Sequence, residues 1–309
     1  MSANTYGLIR IIGNAIPRLH NPFELYKNLL YIIKNEEKFP NCKKVWILNR
    51  IADFTQKQLY IDLLEEYDYK YIDIPLVKTE YNSLIKTSFK QRDAYNICKQ
   101  LNIYDPKFIS LQKSLYYQNL YVCNNNGSRN LALEYGKQNF TWSFVLDGNS
   151  FFLKDDWKNI VQNIERYEDN PNNEELQYVI IPMVRTSSNN DIKTGKINKL
   201  LYSEPQIGFK NSSDAIFNNK IPYGASPKAE LLRVLSIPGP WNKWIDNITT
   251  FNIPDRPKIT VPYITVSKVI RLYTGGTFKI ESRSEGNVRY ILRVLGLHIL
   301  CSILDKQTF

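Results

Sequence analysis

Through its first half the chain alternates short apolar runs with longer stretches of helical spacing. That alternation limits its fold more than any other feature. Residues 7–13 place Leu8, Ile9, Ile11 and Ile12 in a run too short for a helix. Residues 23–34 follow with Leu25, Leu29, Ile32 and Ile33 at helical intervals. A second apolar run spans 44–48, a second helical stretch with Leu59, Leu63 and Leu64 on one face spans 55–67, and a third run spans 69–76. Strand and helix in turn predict an α/β chain with a mostly parallel central sheet flanked by helices.

Further along, helical pieces are expected over 92–101 and 111–121, with a loop at 124–127. Ser128 reads as the N-cap of a helix running to 138. An apolar strand over 141–146 ends in the polar turn Asp147-Gly148-Asn149. A strand over 177–184, a polar stretch over 187–196 and a helix over 227–235, capped by Ser226 with Pro227 in its first turn, come next. A late strand over 267–273 and an amphipathic helix over 287–304 close the chain. Residues 1–270 are expected to form one unit, with 271–309 a strand and helix packed on it.

With 309 residues, 43% of them hydrophobic, the chain can bury a sizeable core. Its net charge of +10 suits anionic partners such as nucleic acid, anionic membrane or phosphorylated small molecules. The basic residues form no run of five or more, which argues against a nucleic-acid module. Cys42, Cys98, Cys123 and Cys301 lie far apart with no C-x-x-C pair, so free thiols in a reducing compartment are expected. Neither a basic-then-apolar leader nor an apolar run of about 18 residues is evident. The expectation is a cytoplasmic protein without a transmembrane segment, with peripheral membrane contact open to it.

Ligands of open α/β sheets sit beyond the carboxyl ends of the strands. The first strand carries Arg10 and leads to Asn14; the second ends at Asn49 and Arg50, with Asp53 just beyond; the central one ends at Asp147-Gly148-Asn149. These groups are expected to converge on one cleft.

The segment 124–149, NNNGSRNLALEYGKQNFTWSFVLDGN, resembles the core of family-two-type glycosyltransferases of the GT-A fold. Ser128-Arg129-Asn130 stands where that family opens a helix with A/S-R-N, and Asp147-Gly148-Asn149 stands where it has D-x-D. The resemblance covers about 26 residues by motif and roughly two thirds of the chain by order of elements. It implies that residues 1–270 are a catalytic unit with a nucleotide-sugar donor and a glycan or other hydroxyl acceptor. Arg10, Asn14, Asn49, Arg50 and Asp53 are expected as donor contacts from their strand-end positions, and the resemblance adds Arg129 and Asn130 and a divalent Mn2+ or Mg2+ held by Asp147 and Asn149. Hard cations favour such oxygen ligands, and a dication would offset the charge of a leaving diphosphate. The family's second Asp is Asn149 here, a weaker, neutral ligand.

A transferase that inverts configuration needs a base for the acceptor hydroxyl. No acidic pair aligns with the family's G-E-D region; Glu230 is nearest, followed by Glu204 and Asp246. His298 reads as a packed residue or a late metal ligand, His20 as a donor contact, and Trp241 and Trp244 as acceptor-stacking or packing residues. In a solvent-open turn Asp147 carries little packing, so Asp147→Ala is expected to cost at most about 1 kcal/mol of stability while abolishing activity. Asn149→Asp is expected to strengthen manganese binding. The competing readings are a sugar nucleotidyltransferase, whose Gly-rich loop is missing after the first strand, and a degenerate, non-catalytic sugar-binding protein.

Overall fold

The computed structural model describes residues 4–186, 188–193, 204–243, 250–274 and 283–307. Asp246 and Trp244 lie outside them, as does part of the polar stretch 187–196. The first half runs β1 (Tyr6–Ile12), α1 (Pro22–Asn35), β2 (Cys42–Asn49), α2 (Phe54–Glu66), β3 (Lys70–Ile74), α3 (Lys78–Asn82), α4 (Gln91–Lys99), α5 (Pro106–Ser114), α6 (Tyr116–Cys123) and α7 (Asn125–Asn139). The second runs β4 (Trp142–Asp147), β5 (Ser150–Phe151), α8 (Lys154–Glu168), β6 (Tyr178–Ile181), β7 (Met183–Arg185), α9 (Asn190–Lys193), β8 (Gln206–Lys210), α10 (Pro227–Val234), β9 (Tyr263–Thr265), β10 (Val269–Arg271) and α11 (Arg283–Lys306).

The central sheet has the order β3-β2-β1-β4-β8-β6-β9. Strands β3, β2, β1 and β4 pair in parallel, β8 is antiparallel to both its neighbours, and β6 and β9 pair in parallel. The expected α/β class, with a mostly parallel central sheet flanked by helices, is what the chain adopts. A three-stranded sheet, β5-β10-β7, stands beside it.

Strand periodicity sorts the core. Ile9, Val45 and Val145 face Ala132 and Leu133 of α7 and Leu231 and Leu232 of α10. Leu8, Phe144 and Leu146 turn the other way, onto Trp157, Ile160 and Ile164 of α8. Trp46 and Leu48 share that phase and pack on Leu29 and Ile32 of α1 and Leu63 and Leu64 of α2. Successive side chains on opposite faces are the ordinary consequence of a pleated strand.

Arg10 falls in the inward phase of β1 and is fully buried. Its Nη2 donates to Glu36 Oε1 at 2.6 Å and its Nε to the Ser150 carbonyl at 2.8 Å, and Lys44 Nζ lies 3.0 Å from Glu36 Oε2. A guanidinium needs such a carboxylate to be tolerated inside a core. The donor role expected for Arg10 is therefore corrected: it is an ion-paired core residue tying β1 to α1 and β5.

The helix containing Arg129 begins earlier than expected. Asn124, at φ 40°, precedes a helix that starts at Asn125, and Ser128 lies inside it with its hydroxyl donating to the Asn125 carbonyl. Ser226 precedes α10 in a left-handed conformation, φ 51°, without a side-chain cap bond. Helix α11 is long and apolar enough, over 287–306, to cross a membrane by length and composition. More than half of that stretch is buried, with Ile291, Val294, Leu295 and Leu304 packed among Ala94, Phe108, Leu111 and Val122. His298 is buried in the same cluster with Nε2 2.9 Å from the Phe89 carbonyl oxygen.

Candidate functional site

A cavity of about 470 Å3 opens beyond the carboxyl ends of β1 and β4. Gly13 and Asn14 line it after β1, Asn49 after β2, and Asp147, Gly148 and Asn149 after β4. Arg129 reaches it from α7, Arg185 from β7, Arg271 from β10 and Arg293 from α11. Glu204 and the loop holding Tyr223, Gly224, Ser226 and Pro227 line it as well.

Three close contacts set the shape of its floor. A Cβ added at Gly148 would stand 2.6 Å from the Ile11 carbonyl oxygen, so the turn can lie against β1 only as glycine. Asn149 then joins this turn to β10: its side-chain amide donates to the Leu272 carbonyl at 3.0 Å, and its own carbonyl accepts from the Leu272 backbone N–H at 2.9 Å. Gly224, at φ 104°, lets its loop pass the Arg293 side chain, which lies over the Tyr223 ring at 4.8 Å.

Asp147 is not a bare carboxylate. Its Oδ1 accepts from Lys228 Nζ at 2.9 Å and lies 3.4 Å from Arg129 Nη2; its Oδ2 accepts from Gln206 at 3.3 Å. Lys228 also donates to Gln206 Oε1 at 2.8 Å, and only 1% of its side chain is exposed. Burial opposes ionisation of Asp147, but Lys228 and Arg129, with Arg271 beyond them, outweigh it and hold the carboxyl well below the usual carboxylate range. Burial pulls the Lys228 ammonium down to about 8 against the attraction of Asp147.

These residues do not fit a divalent cation. Both Asp147 oxygens accept hydrogen bonds, Oδ1 from a lysine, and the Asn149 side chain is oriented by its nitrogen, which donates to the Leu272 carbonyl; Asn149 could offer a cation only a neutral oxygen. Among the described residues no group of three or more His, Cys, Asp or Glu side chains could hold a metal. His298 faces Phe89 and does not line the cavity. Asn149→Asp would set a carboxylate against the Leu272 carbonyl, so the expected gain in manganese binding gives way to a lost hydrogen bond and repulsion.

The other expected site residues divide. Asn14 and Asn49 line the cavity, yet their side chains hold loops together. Asn14 donates to the carbonyls of Arg50 and Val122 and accepts from Ala52, and Asn49 donates to Cys123 and accepts from Asn124. Arg50, Asp53 and Asn130 do not line it. Arg50 donates to the Tyr121 carbonyl and stacks 3.9 Å from that ring, Asp53 caps α2 through Gln56, and Asn130 bonds Phe217 and Asn219. Glu230, the first choice of base, is also turned away: both its oxygens accept from Arg256 at 2.7 Å. Glu204, the second candidate, lines the cavity, and its Oε1 is buried with no hydrogen-bond partner.

Arg185, Arg271 and Arg293 were not picked out by the sequence reading. Arg185 follows directly on the expected strand 177–184, so the rule that flagged Asn49 at a strand end applies to it equally. Burial, then crowding by Arg271, Arg289 and Arg293, pulls the Arg185 guanidinium down to about 8, with Asp147 pulling the other way. The cavity is strongly electropositive.

His20 feels the same field. Its Nδ1 accepts from the Ile16 backbone N–H at 3.1 Å; burial first, then Arg271, Arg293 and Arg289, lower its pKa to about 3. The folded value lies below the ordinary 6.5, so the unfolded chain takes the proton first as pH falls. Stability contributed by neutral His20 is complete above about pH 6.5 and is lost toward pH 3. His20→Gln is expected to flatten the decline in stability between those limits, as read by denaturant titration at pH 7 and pH 4; an unchanged slope would remove His20 from the acid response.

No protein-family model matches the chain, and no curated protein matches it. Among solved structures it is similar to TarS from S. aureus, at 8% identity and a TM-score of 0.42 over 87% of this chain and 37% of that one. It therefore spans little more than a third of the length of TarS. It is also similar to glucosyl-3-phosphoglycerate synthase from Mycobacterium tuberculosis in complex with Mg2+ and uridine diphosphate, at 8% identity and a TM-score of 0.31 over 87% of this chain and 72% of that one. A third likeness is to mouse xyloside xylosyltransferase 1, at 11% identity and a TM-score of 0.29 over 67% of this chain and 66% of that one. These likenesses are remote; the chemistry of the cavity rests on the chain's own residues.

Proposed function

We propose that this chain transfers a sugar from a nucleotide-sugar donor to the hydroxyl of a glycan or other acceptor. The observation that carries the reading is the composition of one cavity. Arginines from four separate elements and Glu204, whose Oε1 has no hydrogen-bond partner, meet at the strand ends where α/β sheets bind ligands. Planar guanidiniums match the oxygens of a diphosphate in pairs. A volume of about 470 Å3 falls within the range usual for small-molecule sites.

In the reaction the bond between the anomeric carbon and the diphosphate oxygen breaks, and its electron pair leaves with the diphosphate. The acceptor oxygen bonds to the anomeric carbon, and its proton passes to Glu204. The arginines offset the charge that gathers on the leaving group. Lys228 and Arg129 keep Asp147 ionised and fixed at the cavity floor, where it counters part of the surrounding positive charge. A divalent cation is given no step here, because both oxygens of Asp147, the one carboxylate of the turn, are held by Lys228, Arg129 and Gln206.

The test is a thermal-shift screen with UDP-, GDP- and dTDP-sugars, with and without manganese. Any donor found would then be assayed for release of its nucleoside diphosphate in the presence of hydroxyl acceptors. A donor that stabilises the protein and is consumed supports the reading. Failure of every nucleotide sugar to shift the transition at millimolar concentration rejects it.

A further inference from the structure

We propose that Arg185, Arg271 and Arg293 form a built diphosphate site that does the work of a divalent cation, so that the donor is bound and its leaving group stabilised by guanidinium groups alone. This rests on the sugar-transfer reading for the identity of the donor, but the site itself is argued from charge and geometry.

Arg185 and Arg271 are register partners in the parallel pairing of β7 with β10, so their stems leave neighbouring strands on one face about 5 Å apart. Like charges directly opposite in a ladder destabilise a sheet. Neither side chain has a hydrogen-bonding or ion-pairing partner among the described residues, and both are half-buried in the cavity wall. Arg293 joins them from α11, with its Nε buried and without a partner. Asp147 cannot serve all three, since Lys228 and Arg129 already occupy its Oδ1. The arrangement leaves three guanidiniums facing Glu204 as the one further carboxylate lining the cavity among the described residues.

Like charges set side by side, with no hydrogen bond or ion pair for Arg185 or Arg271 among the described residues, are matched by a polyanion that fills the space between them. Each guanidinium can give paired N–H donors to phosphate oxygens. Burial and mutual crowding lower the Arg185 pKa, and an anion among the three reverses that cause. When the sugar leaves, the diphosphate gains a negative charge, and fixed donors already aimed at it need no reorganisation.

The experiment is calorimetric titration of the full chain with inorganic pyrophosphate, in excess chelator and in manganese, for the wild type and for Arg271→Gln. The expected result is binding in chelator at least as tight as in manganese, weakened about tenfold or more in Arg271→Gln. The free variant should also show a higher Tm than wild type, because a like-charge contact has been relieved. Binding that requires manganese overturns the inference. So does equal affinity in the variant, no binding in either condition, or a lower Tm in Arg271→Gln, which would mark the residue as structural. Should Arg271→Gln fail to fold, Arg293→Gln is held to the same criterion of pyrophosphate affinity. A parallel titration with UDP, GDP and dTDP separates the two readings. A nucleoside diphosphate bound more tightly than pyrophosphate supports a nucleotide donor. Equal binding of all four rejects that donor and leaves the diphosphate site standing.

Discussion

Glu204→Gln is expected to slow sugar transfer by roughly 10²- to 10⁴-fold while leaving donor affinity within about twofold, the range typical of losing a positioned general base. The residue lines the cavity, where an acceptor hydroxyl would approach its carboxylate, and no hydrogen bond engages its Oε1. Lys228, buried behind the Asp147 turn, is close enough for Glu204 to favour its charged form. The amide of Gln keeps the shape and removes the basic oxygen. The measurement is kcat and KM for transfer beside calorimetric donor affinity. Glu204→Asp should recover part of the rate, since the carboxylate returns at a shorter reach. Unchanged kcat in Glu204→Gln would remove the base from this position. Glu230 offers the contrast: locked on both oxygens by Arg256, it has no free oxygen to take a proton.

Asp147→Ala is expected to cost about 3 kcal/mol of stability, where the solvent-open turn read from the sequence led to an expectation of about 1 kcal/mol. The difference comes from Lys228. Its side chain is 1% exposed, and its hydrogen-bond partners are Asp147 and Gln206. Removing Asp147 leaves a buried ammonium facing an amide oxygen, and stranding one partner of a buried pair is among the costliest single changes. The check is chemical denaturation of Asp147→Ala, Lys228→Met and the double variant at pH 7. The double variant should be more stable than the sum of the single changes implies, because neither charge is then left alone. Strict additivity would rule out the coupling. The folded Asp147 carboxyl lies below its ordinary value, so its contribution is complete above about pH 4 and is lost only under stronger acid.

How much of this was legible beforehand differs between fold and site. Periods of two and of three to four residues placed β1, α1, β2, α2, β3 and β4, because each needs only its own stretch of chain to decide which side faces the core. The antiparallel β8 and the short β7 and β10 were missed or blurred. A strand of three to five residues carries too few positions for periodicity to register, and its direction depends on the neighbour it finds.

The site shows the same division. The sequence by itself determined that polar groups stand at strand ends and that Asp147, Asn14, Asn49 and Arg129 belong near one cleft. It determined equally that the stretch 124–149 joins a helix carrying Arg129 to a strand ending in Asp147. Only the tertiary structure decided which of these groups are free to act. Arg10 went to Glu36 and Glu230 to Arg256, while Asp147 was taken by Lys228, distant in sequence. Arg185 was brought opposite Arg271 by strands far apart in the chain, and Arg293 arrived from the last helix. The physical reason is that a charged side chain's role is set by whichever opposite charge shares its low-dielectric surroundings. That partner is chosen by packing between distant segments, which no local pattern records.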